Sequence, residues 1–281
     1  MKWKMANTAL IGAILFALFQ AAWAGETEWK ANIAAGEDAS RKGDFALAEQ
    51  HYLQAITEAE ITFGGGHPNV TRSVDDLVRM YYTQKQYAKV EPLYKRSLAI
   101  REKALGPVHL EVAKSLDSLA GFYLGQLRTP EAGPLYKRSL EIREKALGPE
   151  HPDVATSLRN LAMIYAMQGR LPETVPLNER RLAILEKTRG RQDTEVLKQL
   201  MHLSSINIMQ LRFAEAEPYL KRCIDSIELT LADETVDHSK MLAEAVDLLE
   251  KIYRSQGRND EIESLNQRVS SILQKRKTQA K

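Results

Sequence analysis

His67, His109 and His151 are separated by 42 residues, and three imidazoles at one period could ligate a metal. Zinc needs its donors within about 2.0–2.3 Å of a single ion. If each histidine belongs to a packed helix, equivalent atoms of neighbouring copies lie about 8–10 Å apart. The series also continues as Asp193 and Ser239, residue types that cap helix N-termini. The spacing therefore predicts a turn or cap role, with no metal and no other cofactor.

Other catalytic constellations are missing. The sequence has no phosphate-cradling glycine loop, no Gly-x-Ser-x-Gly and no His-Glu-x-x-His. Gly64-Gly65-Gly66 lacks a following Lys-Ser/Thr and reads as a loosened turn. Cys223 is the sole cysteine, so no internal disulfide can form. It stands where Ala55, Ser97 and Ser139 stand in other copies of the period, which predicts a buried small residue. A protein without catalytic activity is expected.

The period is what positions these residues. The segment Pro92–Pro107 recurs at Pro134–Pro149 with only Ala99 and Glu141 differing. Gln168-Gly169-Arg170 matches Gln126-Leu127-Arg128 and Gln210-Leu211-Arg212, and Gln256-Gly257-Arg258 follows after a slip of four residues near Leu231–His238. Repeats are thus predicted at about 25–66, 67–108, 109–150, 151–192, 193–234 and 239–281.

Each repeat reads as two helices. Val154, Leu158, Leu161, Ala162 and Tyr165 form one apolar helical stripe. A second helix places Leu135, Tyr136, Ser139, Leu140 and Ile142 inward, and Leu147-Gly148-Pro149 stops it. Pro92, Pro134, Pro176 and Pro218 are expected in about the first turn of the second helices, where a missing N–H costs little. The Lys-Arg pairs at 95–96, 137–138 and 221–222 are expected on a solvated convex face. One hairpin cannot bury its stripe, but stacked hairpins can, so a solenoid with a concave first-helix face follows.

The first 24 residues differ from the rest. Lys2 and Lys4 precede an apolar run, Ala9–Phe19, and then Ala22-Trp23-Ala24. A positive start, a short apolar core and a small-residue exit predict a signal peptide cut after Ala24. The run is shorter than the ~20 residues that span a bilayer, and an uncleaved membrane anchor is the alternative. The whole chain of 281 residues has 39 basic and 37 acidic side chains, and without Lys2 and Lys4 the balance is even. Nothing in that balance points to nucleic acid. A frayed basic tail is expected at Lys275-Arg276-Lys277 and Lys281.

These residues resemble the 42-residue tetratricopeptide repeats of kinesin light chains and their bacterial relatives. The resemblance is carried by His151-Pro-Asp-Val-Ala-Thr-Ser-Leu-Arg-Asn-Leu-Ala162, Tyr165, Gln168-Gly169, Glu131–Arg138 and Leu147-Gly148-Pro149. It is strong over residues 67–192, fair over 193–234 and skeletal at both ends. It implies an all-α fold, a right-handed α-solenoid of stacked antiparallel helix pairs. It also implies a protein-binding scaffold, and the family's bacterial abundance points to a bacterial envelope, periplasmic or secreted.

In the family's geometry, first-helix positions pointing away from the second helix line the concave groove. Here these include Lys30, Arg72, Asp75, Asp76, Arg79, Lys114, Asp117, Arg159, Asn160, Lys198 and His202. Asn160 matches a family position whose amide can hold a ligand backbone. Lys30, Arg72, Lys114 and Lys198 share one position, broken by Thr156. A basic row interleaved with Asn suits an extended, partly acidic peptide or a C-terminal carboxylate. The alternative is a self-associating envelope component, for which Met201, Ile206, Ile208 and Met209 could supply an apolar surface.

Overall fold

The computed structural model describes the backbone of residues 2–229 and 238–279, and side chains for 19, 20, 22–229 and 238–274. Residues 231–237 of the expected slip, the side chains of the apolar run up to residue 18, and those of Lys275, Arg276, Lys277 and Lys281 lie outside this description. The described residues form twelve helices and no strand: an all-α solenoid of stacked helix pairs. The helices are α1 (Lys2–Arg41), α2 (Phe45–Phe63), α3 (Pro68–Thr83), α4 (Tyr87–Leu105), α5 (Leu110–Gly125) and α6 (Thr129–Leu147). They continue as α7 (Pro152–Met167), α8 (Leu171–Arg189), α9 (Thr194–Met209), α10 (Phe213–Leu229), α11 (Ser239–Ser255) and α12 (Asn259–Gln279). Two compact units divide the chain, Met1–Ile142 and Arg143–Lys281.

The first helices α3, α5, α7 and α9 each start on a side-chain cap. His67, His109 and His151 accept from the backbone N–H two residues on, at 3.2, 3.1 and 3.1 Å, and Asp193 does the same at 2.8 Å. Those Nδ1 lone pairs are engaged by the backbone. At α11 the cap position is His238 and Ser239 is already helical, because the register has slipped. Turns inside the hairpins place Lys85, Leu127 and Leu211 at φ 58–59°, where Gly43, Gly169 and Gly257 stand in the other copies. Turns between hairpins use Gly106 and Gly190 at φ 85–87° and ψ 156°, a region only glycine occupies comfortably.

The four prolines lie deeper than expected. Pro92 is the sixth residue of α4, and Pro134, Pro176 and Pro218 repeat that placement. Each therefore deletes an interior hydrogen bond, and each is exposed, so water can take up the released carbonyl.

In unit 1, α1 packs on α2, α2 on α3, α3 on α4 and α4 on α5. Val112, Ala113, Leu116 and Ile142 form one buried cluster. Packing of α1 begins at Gly25, where a Cβ would meet the Thr62 hydroxyl at 2.0 Å. Trp29 is buried, donates to Ser73 Oγ at 2.8 Å and meets Phe63 edge-on at 5.9 Å. Before Gly25, Phe19 and Trp23 are exposed. Among the described residues no helix is long and apolar enough to cross a membrane.

In unit 2, one core runs through α8 to α12, from Leu182 to Ile272. Cys223 lies within it, and burial pushes its thiol up to about 12. Met201 and Ile208 pack against this core, and Ile206 is buried; of the four side chains considered as a self-association surface, Met209 alone is well exposed. The helical period turns the others inward.

The arginines of the Lys-Arg pairs, and Arg180 at the equivalent position, do more than solvate a face. Arg96 reaches Glu60 at 2.5 Å and Arg138 reaches Glu102 at 2.5 Å in unit 1. Arg180 reaches Glu144 at 2.6 Å, and Arg222 pairs with Glu186, in unit 2. Each joins one second helix to the preceding second helix.

Candidate functional site

The floor of the unit 1 site is the outward face of α3. Arg72, Asp76 and Arg79 line a cavity of about 570 Å³ with Glu37 of α1 and Arg101 of α4. A second cavity of about 460 Å³ shares Asp75, Arg79, Arg101 and Glu111 with the first. It adds Tyr82, Tyr94 and Lys114. The two make a continuous recess over α3 and α5. Lys30 and Asp117 line neither cavity.

The charges in this recess are partly tied down. Arg72 lies over the Trp29 ring at 5.6 Å. Asp76 is buried, with one oxygen 3.1 Å from Arg79 and the other without a hydrogen bond. Burial raises its pKa, against the pull of Arg79 and Arg72. Asp75 receives Arg101 at 2.7 Å and the Ser97 hydroxyl at 3.0 Å. The basic row is half-neutralised within its own helices: Lys30 pairs with Glu26 at 2.6 Å, Lys114 with Glu111 at 2.6 Å and Lys198 with Glu195 at 2.9 Å. These lysines remain well exposed and can exchange partners.

Unit 2 holds Arg159 and Asn160 on α7, and Lys198 and His202 on α9. Asn160 is half-buried and Arg159 exposed. Arg159 and His202 converge electrostatically on Arg181 of α8, a residue the first-helix reading passed over. Withdrawal from water, and Arg181 after it, lowers the His202 pKa.

Two more second-helix arginines were missed. Arg101 donates to Ser115 Oγ at 2.8 Å in unit 1, and Arg143 to Ser157 Oγ at 2.7 Å in unit 2. Their shared spacing of 14 residues is the signal that could have found them. Among the described residues no group of three His, Cys, Asp or Glu is placed to hold a metal ion.

The tetratricopeptide repeat family profile matches residues 29–103 and 111–187. No curated protein sequence matches the chain. Among solved structures, kinesin light chain TPR-like repeats of Podosopora anserina are similar at 24% identity and TM-score 0.56, over 72% of this chain and 95% of that one. BtubC from P. vanneervenii is similar at 18% identity and TM-score 0.53, over 89% and 91%. Aspartyl phosphate phosphatase F from Bacillus subtilis is similar at 12% identity and TM-score 0.53, over 93% and 74%. At these identities the likeness concerns the fold. The stacked helix pairs, the glycine-stopped second helices and the profile match agree: this chain belongs to the tetratricopeptide repeat family.

Proposed function

We propose that this chain is an exported, non-enzymatic scaffold that holds a partner protein by an extended, partly acidic peptide on its first-helix face. Tetratricopeptide repeats are protein-interaction scaffolds in general and typically lack catalysis, which supports the broad reading. The observation that carries the finer one is the recess over α3 and α5. It combines Arg72, Arg79, Arg101 and Lys114 with Tyr82 and Tyr94 and with the carboxylates Glu37, Asp75, Asp76 and Glu111, so it offers cations beside aromatic surface, with Asp75 and Glu111 already paired to Arg101 and Lys114. The same reading extends to Lys30, Asp76, Asp117, Arg159, Asn160, Lys198 and His202 as groove contacts.

Selection of displayed peptides on the chain lacking residues 1–24 tests this. Selected peptides should be rich in Asp and Glu, and binding should fall about tenfold or more in an Arg79→Glu, Lys114→Glu variant. Neutral or basic winners, or equal binding by the variant, would overturn it.

Export rests on the signal-like first 24 residues, with periplasmic or secreted destinations. Exposure of Phe19 and Trp23 beside tight packing from Gly25 onward supports a cut after Ala24, leaving the six repeats whole. N-terminal sequencing of the exported protein should begin at Gly25. An intact Met1 would favour the membrane anchor.

A further inference from the structure

The larger cavity of unit 1 holds a carboxylate that its neighbours only half satisfy. Asp76 is 6% exposed; its Oδ1 meets Arg79 at 3.1 Å, and its Oδ2 has no hydrogen-bond donor among the described residues. A withdrawn carboxylate oxygen without a donor is costly, and folded proteins keep few of them. Glu37 of α1 lines the same cavity and has neither a hydrogen bond nor an ion pair among the described residues. Two acids from two helices therefore share one cavity with oxygens to spare. Burial, then Glu37 and Asp75, work against the Asp76 charge, and Arg79 and Arg72 oppose them. A cation placed by Asp76 and Glu37 would relieve the arrangement.

The other groups of the cavity select that cation. The third acid, Asp75, is already held by Arg101 at 2.7 Å and by the Ser97 hydroxyl at 3.0 Å. Two carboxylates are left, too few to hold a metal ion. Because Oδ2 is recessed, a compact donor suits it better than a planar fork, and an ammonium carries three N–H groups on one nitrogen. Arg72 stands one turn before Asp76 on the same face of α3. It lies over the Trp29 ring at 5.6 Å and has no ion pair among the described residues. A ligand with an ammonium alone would leave Arg72 unbalanced, whereas a carboxylate on the adjacent carbon would match it. Pro68, Ala104 and Leu105 supply an apolar wall. The cavity volume of about 570 Å³ falls among small-molecule sites, which span about 300–1,000 Å³.

We propose that Asp76, Glu37 and Arg72 form a small-molecule site in unit 1 for a free aliphatic α-amino acid. Its ammonium lies by the two carboxylates, its carboxylate at Arg72 and its side chain against Pro68, Ala104 and Leu105. The site goes beyond the scaffold reading and needs no partner protein. Its failure leaves the displayed-peptide selection untouched.

Trp29 is the sole tryptophan after Ala24, so its fluorescence in the chain lacking residues 1–24 reports the site through Arg72. Leucine, titrated at neutral pH and constant ionic strength, should give a saturable change. Two analogues dissect the recognition: 4-methylpentanoate lacks the ammonium and isopentylamine lacks the carboxylate. Each should bind about tenfold more weakly than leucine, or worse. Asp76→Asn keeps the shape and removes the charge, and it should weaken leucine binding about tenfold. Glu37→Gln should do the same from an exposed position, which keeps the site testable if Asp76→Asn disturbs the fold. A non-saturable response to leucine, or equal leucine affinity in wild type and Glu37→Gln, overturns the site. Isopentylamine binding as tightly as leucine overturns the amino-acid assignment. Equally tight 4-methylpentanoate overturns the role of the two acids.

Discussion

Glu217 of α10 and Arg258, just before α12, are 41 positions apart in the chain and 2.6 Å apart in the fold. The same carboxylate accepts from the Tyr253 hydroxyl at 3.3 Å and holds Lys221 at 2.7 Å. Arg258 also lies over the Tyr253 ring at 4.4 Å. In unit 1, Glu91 is placed in the same way against Tyr123, Arg128 and Lys95 at 3.0, 2.7 and 2.7 Å. Each carboxylate fastens one hairpin to the next. Glu217→Gln keeps the shape and removes the charge, so urea unfolding should show a loss of about 1–2 kcal/mol. A midpoint equal to wild type would mean that the contact contributes nothing net.

The acid limb of stability should report the same two groups. Arg258, and Lys221 after it, hold Glu217 down to about 2; Lys95, and Arg128 after it, do the same for Glu91. An unfolded glutamate titrates near 4.3. Because the folded values are depressed, the stabilisation is complete above about pH 4.3 and drains away as pH falls toward 2. Circular dichroism melts across that window should show a steeper decline for wild type than for a Glu91→Gln, Glu217→Gln variant. Parallel declines would refute the assignment.

Leu127 and Leu211 adopt φ 59° and are 76% exposed, so they bear left-handed strain with little packing in return. Glycine there removes a strain of about 1–2 kcal/mol at an entropic cost of about 0.5–1 kcal/mol. Leu127→Gly and Leu211→Gly should each raise stability slightly, by about 0.5 kcal/mol. Gly190→Ala should act oppositely, with a loss of roughly 1–3 kcal/mol, because φ 87° and ψ 156° suit no side chain. Thermal midpoints of the three variants decide both signs.

Gly36 faces Tyr52 so closely that an added Cβ would sit 2.8 Å from the ring. Gly36→Val should cost about 1–3 kcal/mol by forcing α1 off α2. Native-state hydrogen exchange should show the loosening in those two helices first.

The histidine caps predict a metal-independent fold. Zinc or a chelator should leave the melting midpoint unchanged, whereas His109→Ala should lower stability by about 0.5–2 kcal/mol through loss of its bond to the Glu111 N–H. A midpoint that rises with zinc would reinstate the ligand reading.

The all-α fold and its family were legible because the 42-residue period ties apolar stripes to Gly-Pro stops. Helix-internal detail was less so. Pro92 is compatible with several early positions of a helix, and only the location of Gln86 as the preceding cap fixes it in the second turn. The outward phase of Arg72, Arg79 and Lys114 on α3 and α5 follows from the stripe opposite, whereas Asp76, expected outward with them, is buried because its place on α3 turns it under the flanking arginine. Arg181 was missed, because reasoning from first helices cannot see a side chain that a second helix sends between its neighbours. Comparison of Ser97 and Ser139 with residue 181 would have exposed it, since a long cation stands there in place of a small hydroxyl.

The near-identity of Pro92–Pro107 and Pro134–Pro149 has a genetic consequence. Recombination between the two coding stretches would remove or duplicate one whole period in frame. The joined helix would carry one parent helix's sequence up to the crossover and the other's after it, and would differ from the helix that supplies its start at most where Ala99 or Glu141 stands. The number of hairpins in this protein is thus a trait that a lineage can change in a single event, without designing a new interface.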